Sequence, residues 1–259
     1  MLPMPKELKP GSAQQINRPH FTRYWELPQL EPRLNVGIFL FDNMTMLDAY
    51  APLQCFAMVP QFHAFTFAQR STPVLSDSGA RLTPDYDFAA CPPLDILVVP
   101  GGADVLPQMR DGETIATLQR LAKGAQYVTS VCTGALILAE AGLLDGYRAT
   151  THWTCLDHLR RFAGIEVESQ RVVVDRNRIS GGGVTAGMDF ALTLIATVVG
   201  APLAQALQLL LEYQPAPPFD CGSPERAPAA VREQVEIMFK PNADSLHAYL
   251  DTRPTRVVS

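Results

Sequence analysis

Residues Tyr127 to Gly134 read YVTSVCTG, and the order of residue types in that stretch decides the fold. A short strand-forming run reaches Cys132 and turns at once, through Thr133 and Gly134, into an Ala/Leu-rich segment that ends near Gly142. This is the pattern of a buried strand feeding directly into a helix, with a thiol on the turn between them. A strand-to-helix turn that carries a nucleophilic side chain is the geometry of a nucleophile elbow. Amide N–H groups at the start of a helix, and the positive end of its dipole, favour a thiolate over a thiol. Cys132 is therefore expected to be a low-pKa nucleophile.

Working outward, the same alternation repeats. Leu34 to Phe41 (LNVGIFLF) and Asp95 to Pro100 (DILVVP) are near-continuous apolar runs, as buried parallel strands should be, and His63 to Gln69 alternates as another strand. A helix is expected to begin at Asp48, which would cap it, and another to run from about Glu113 to Lys123. Val74 to Phe88, with Asp77, Ser78 and Gly79 at its centre, reads as a polar hairpin appended to the sheet. Beyond Cys132 come a short strand in ATTHW (Ala149 to Trp153), a helix from about Leu156 to Phe162 and a two-stranded piece around RVVVDRNRIS. The loop Gly181-Gly182-Gly183 then leads into helices over Ala186 to Val199 and Leu203 to Tyr213. Strands alternating with helices predict one doubly wound α/β domain with a mostly parallel sheet over residues 34–240. Residues 1–33 are Pro-rich and expected as an extended arm, Gln214 to Pro228 as a loop, and 241–259 as a polar tail after a helix near Ala229 to Phe239.

Composition narrows the partners. Acidic residues exceed basic ones by only 26 to 21, and the basic ones are scattered, so neither nucleic acid nor a membrane surface is implied. No apolar run reaches the ~18 residues of a membrane span. Five cysteines (Cys55, Cys91, Cys132, Cys155 and Cys221) form no paired framework, and a cytoplasmic protein acting on a small molecule is expected. Metal-ligand spacing is lacking, and Gly181 to Gly183 lacks the G-x-G-x-x-G of a dinucleotide site, so no metal and no cofactor is expected.

Ligands of open α/β sheets bind beyond the carboxyl ends of the strands, where Asp48, Gly101-Gly102 and Cys132 would converge. Asp48 is then a candidate acid/base, and Thr133 a residue whose hydroxyl orients Asp48 and whose N–H faces an oxyanion. Gly102 would offer a second N–H donor, and His152, a histidine near a strand end on this side, is either a substrate-binding or catalytic group or a satisfied structural one. The other four cysteines read as small buried hydrophobes.

The segments LDAYAP, PPLDILVVPGG, YVTSVCTGALILAEAGLLDGYRATTHW, ISGGGVTAGMDFALTL and LLLEYQPAPPFDCGSP together resemble the DJ-1/PfpI superfamily over about Leu34 to Pro228. SVCTG and ATTHW are shared widely in it, whereas EYQPAPPF-x-x-GSP is similar to its isocyanide hydratase (isonitrile hydratase) branch. The resemblance implies a flavodoxin-like, class I glutamine amidotransferase-like fold and a homodimer, with Cys132 as nucleophile and Asp48 and Thr133 as its partners. It also implies hydration of isocyanides to N-substituted formamides, and the chemistry of an isocyanide carbon beside Cys132 and Asp48 points to a covalent thioimidate on Cys132 as the expected route. Where family members read LDLTGP this chain has LDAYAP, which places Tyr50 and Ala51 close to the site. Two other activities fit the same superfamily: a glyoxalase-like reaction on 2-oxoaldehydes, with a larger part for His152, and a sensor or regulator domain without turnover. The segment after Tyr213 is Pro-rich, short and not basic, so a pair of helix-turn-helix units is not expected there.

Overall fold

A computed structural model describes residues 33–253; the expected N-terminal arm and the last residues of the expected tail lie outside them. The chain runs β1 (Leu34–Phe39), α1 (Met46–Phe56), β2 (Phe62–Ala68), β3 (Val74–Leu75), β4 (Arg81–Leu82), β5 (Tyr86–Asp87) and β6 (Ile96–Val99). It continues with α2 (Leu106–Arg110), α3 (Gly112–Ala122), β7 (Tyr127–Val131), α4 (Gly134–Glu140), β8 (Arg148–Ala149), a 3-10 turn (Trp153–Cys155) and α5 (Leu156–Leu159). It closes with β9 (Glu166–Val167), β10 (Val172–Asp175), β11 (Arg178–Gly181), α6 (Ala186–Val198), α7 (Ala201–Leu210) and α8 (Ala229–Thr252).

Seven strands form the central sheet in the order β10-β11-β7-β6-β1-β2-β5. Every pairing in it is parallel except β10 with β11. The chain moves one way from β1 to β2 and the other way from β6 to β7. Right-handed crossovers therefore put α1 and α3 on opposite faces, which makes the sheet doubly wound as the sequence predicts. The switch point lies between β1 and β6, and β7 is the next strand along. The connections that lead to Asp48, Gly101 and Cys132 leave the carboxyl ends of these three neighbours.

Burial follows from the apolar runs. All of β6 is buried, as are Asn35 to Phe39 of β1, and Phe39, Phe67 and Phe88 stack as a tilted trio at one end of the core. Helix α4 is buried from Gly134 to Ala139, so its apolar residues face packed neighbours all round rather than along one stripe.

Several elements differ from expectation for local reasons. ATTHW contributes only Ala149 to a strand, because β8 pairs with β9 in a two-stranded sheet of its own and the threonines turn inward. The polar stretch after Val74 splits: β3 and β4 form the hairpin, while β5 joins the main sheet beside β2. Helix α8 does not stop near Phe239 but passes through Pro241 to Thr252, so most of the expected polar tail is helical. The proline removes one intrahelical bond beside the exposed Ile237 and Met238, where water can take the freed carbonyl, and Leu246 and Leu250 bury the helix beyond it.

Candidate active site

Cys132 adopts φ +57°, the left-handed region that costs an L-residue about 1–2 kcal/mol. Its backbone is fixed on both sides. The N–H donates to the carbonyls of Gly181 at 3.0 Å and Gly182 at 2.8 Å, and the carbonyl accepts the Thr151 hydroxyl at 2.9 Å. The following turn demands glycine, since a Cβ on Gly134 would lie 2.1 Å from the Val99 carbonyl oxygen. The elbow expected from sequence is thus present, and its thiol is almost wholly buried.

Asp48 does not cap its helix. Helix α1 begins at Met46, two residues earlier, and Thr45 before it supplies no side-chain cap. The cap comes from the hairpin: Asp77 Oδ1 accepts the Met46 N–H at 3.1 Å, and Asp77 N–H donates to Met44 O at 2.9 Å. Relieved of that duty, Asp48 is fully buried in the first turn of α1, where Oδ2 accepts the Gly101 N–H at 3.0 Å and Oδ1 lacks a hydrogen-bond partner of normal geometry.

The Pro100-Gly101-Gly102 turn is stitched to the β1–α1 loop by a Met44–Gly102 bridge and by Thr45 N–H to Gly101 O at 2.9 Å. Both glycines are required here. A Cβ on Gly101 would come within 2.5 Å of Thr133 N and 2.9 Å of Gly134 N, and one on Gly102 within 2.8 Å of Asn43 O. Thr133 grips the same turn: its hydroxyl donates to Gly102 O at 2.7 Å and accepts the Gly102 N–H at 2.9 Å. Two expectations change as a result. The Gly102 N–H is occupied rather than open to an oxyanion, and Asp48 is oriented by Gly101 instead of by the Thr133 hydroxyl.

Electrostatics also depart from the sequence expectation. Burial, and then the neighbouring Asp48 charge, push the Cys132 thiol well above its ordinary value, while the Thr133 N–H facing the sulfur pulls it down. Burial likewise raises Asp48 from 3.8 to about 7, against the lowering effects of the Gly101 N–H and the Cys132 side chain, with the Asp77 charge adding a smaller rise. The two turns of α4 do not outweigh desolvation of the buried sulfur. Burial thus favours the protonated form of both groups, Asp48 up to about pH 7.

The remaining sequence candidates sit around this pair. His152 precedes the 3-10 turn and caps it, with Nδ1 2.8 Å from Thr154 Oγ1, and burial lowers its pKa. One side of its ring fills the place where Gly183 lacks a Cβ, and the Phe239 ring lies 5.7 Å away. Tyr50 is half-buried on α1 and is not part of the pocket that opens at Thr133. That pocket runs from Thr133 and Leu136 between the β6–α2 loop and α8, with Thr154 and Cys155 at its side. Cys155 is thus a pocket residue and Cys221 is exposed, whereas Cys55 and Cys91 are buried thiols pushed up to about 12, as small structural hydrophobes should be. Among the described residues no three His, Cys, Asp or Glu side chains gather as a metal site needs.

Sequence reasoning missed Thr151 and Asp77 as supporting residues, and placed Gly101 at the site without its bond to Asp48. Thr151 stands in the ATTHW motif but is overshadowed there by His152. The Gly101 N–H is a backbone donor whose partner no side-chain pattern reveals, and nothing local ties Asp77 to a helix that begins so far upstream.

Comparison with known proteins places this arrangement in context. The chain is 46% identical to the isonitrile hydratase of Pseudomonas putida over 209 residues, covering 81% of this chain and 91% of that one. It is 30% identical to the HTH-type transcriptional regulator GbdR of Pseudomonas aeruginosa, across 72% of this chain and 53% of the regulator. A THiJ/PfpI family protein of Pseudomonas syringae with a solved structure superposes with a TM-score of 0.79 at 38% identity, over 93% of this chain and 99% of that one. The DJ-1/PfpI family pattern matches residues 35–197, which take in the sheet, the elbow and Asp48, and the chain belongs to that family.

Proposed function

We propose that the protein hydrates isonitriles (isocyanides) to N-substituted formamides, with Cys132 as nucleophile and Asp48 as proton carrier. The observation that supports this most is the 46% identity to isonitrile hydratase across nearly the whole of that enzyme. The buried Asp48–Cys132 pair supplies the chemistry. An isonitrile reacts at its terminal carbon, which must gain a nucleophile and a proton. As the sulfur forms its bond to that carbon, Asp48 accepts the thiol proton and passes it to the same carbon, giving a thioimidate. Asp48 then takes a proton from water as the oxygen adds to the thioimidate carbon, and the nitrogen receives it. The tetrahedral species expels the sulfur, which recovers a proton from the new hydroxyl by way of Asp48, and the formamide leaves. Each turnover consumes one water and restores both groups. A base near pH 7 is well matched to these transfers. The Thr133 N–H stabilises the developing thiolate, while the Thr133 hydroxyl keeps the Gly102 turn, and through it Gly101 and Asp48, in place.

The same reading takes the working form to be a cytoplasmic homodimer. Highly exposed Leu209, Phe219 and Met238 offer apolar surface for a second copy. The relation to a transcriptional regulator supports a second reading, in which the pocket binds a small molecule without turnover. Incubation with an aromatic isonitrile, followed by quantitation of formamide for wild type, Cys132→Ala and Asp48→Asn, separates these. Turnover by wild type alone is expected. No turnover by wild type sinks the hydratase reading, turnover by Cys132→Ala sinks the covalent route, and methylglyoxal assayed in parallel reads the glyoxalase alternative.

A further inference from the structure

Helix α8 does more than finish the chain. It lays Phe239, Ala243 and Leu246 along one side of the pocket that opens at Thr133, opposite Val105, Leu106 and Leu136. We propose that this pocket is the subsite for the N-substituent of the isonitrile, and that α8 determines which substituents enter, favouring compact apolar groups. The proposal rests on the hydratase reading and adds to it the element that selects the substrate.

Geometry supports the assignment from three directions. The pocket begins at the residue bonded to Cys132, and an isonitrile is linear through carbon and nitrogen, so a substituent on a carbon attacked by sulfur must point away into adjoining space. That space is bounded mostly by aliphatic and aromatic side chains, which suit an apolar group; α8 adds Asn242 but no charge, and Asp104 on the β6–α2 loop is the one charged lining residue. The wall is also fixed in place. Phe239 lies against the His152 ring, which is itself held by Thr154 and seated against Gly183. At the other end, α8 is anchored by Arg253 to Glu140 at 2.9 Å and by Arg161 to Asp251 at 2.6 Å, with Leu246 and Leu250 buried between. His152, open between a structural and a catalytic role from the sequence, is thereby a positioning residue for the pocket wall.

Ala243 has the smallest side chain on the wall and Phe239 the largest, so the two define opposite tests. Steady-state kcat/KM is measured for methyl and cyclohexyl isonitrile with wild type, Ala243→Phe and Phe239→Ala, each checked for a native melting transition, and Phe239→Leu stands in if Phe239→Ala does not fold. Ala243→Phe is expected to lower the cyclohexyl-to-methyl ratio about tenfold or more, and the Phe239 variant to raise it, on the scale that a few methylenes command in an apolar pocket. Ratios within about twofold of wild type in both variants overturn the proposal. If wild type turns over neither compound, the hydratase reading fails on its own, and the subsite is read instead from alkylation of Cys132 by iodoacetamide against its N-benzyl derivative. Selective slowing of the benzyl reagent by Ala243→Phe keeps the subsite, and equal slowing of both removes it.

Discussion

Replacing Asp48 by asparagine should make the stability of the protein depend on pH in a different way, and the size of the change follows from its burial. In the folded protein the carboxyl keeps its proton up to about pH 7, whereas in the unfolded chain it releases it near 3.8. Between these values the unfolded chain binds fewer protons, so rising pH favours unfolding, and the loss levels off above pH 7. At 1.36 kcal/mol per tenfold the full loss is about 4 kcal/mol. The asparagine does not titrate, and its carbonyl can still accept the Gly101 N–H. Its new amide group stands where Oδ1 has no hydrogen-bond partner, at a cost of about 1–3 kcal/mol that does not vary with pH. Urea unfolding of wild type and Asp48→Asn at a series of values from about pH 4.5 to 8.5 separates the constant offset from the slope. Relative to wild type, the variant should gain most of about 4 kcal/mol across that range. A flat difference, or one with the opposite slope, would refute the reasoning, because it would show Asp48 as a carboxylate stabilised by Gly101 rather than an acid forced up by desolvation.

Three other substitutions probe the framework around the pair. Gly101→Ala pushes a Cβ into the first amides of α4 and should lower stability by about 1–3 kcal/mol, with isonitrile turnover lost, read from melting temperature and formamide yield. Thr133→Val strips both hydrogen bonds from the Gly102 turn and should cost about 1–3 kcal/mol by urea unfolding, while Thr133→Ser restores most of it; equal losses in the two would place the effect in the methyl group. Asp77→Asn keeps an acceptor for the Met46 N–H but removes a negative charge that raises Asp48, so the pH at which the stability loss levels off, read by urea unfolding, should move below that of wild type. An unmoved levelling point would show that Asp77 acts on α1 only as a cap.

The sheet and the elbow were legible because both are written in contiguous residues. LNVGIFLF and DILVVP are too uniformly apolar to be anything but buried strands, and Cys132 sits where a strand pattern gives way to a helix pattern. What the sequence hid is set by groups remote along the chain. Asp48 looks like a cap because aspartate commonly is one, yet the cap arrives from Asp77 across the hairpin. Gly102 reads as a free N–H donor, whereas Thr133 folds over it and takes that hydrogen. The helix expected to end near Phe239 runs on through Pro241, because docking of Leu246 and Leu250 carries α8 onward to become a pocket wall. The local dipole argument for a thiolate was sound in direction; burial overrode it.

The left-handed backbone of Cys132 means that the fold and the chemistry make opposite demands on one position. Glycine would suit that backbone best and cysteine strains it, so the reactive residue is kept at a standing expense in folding free energy. Random substitution and selection for heat resistance alone would be drawn to this position and would return stable, inert proteins. Selection that combines heat with turnover would spare it and gather its gains in the helices and loops away from the elbow, where stability and activity do not compete.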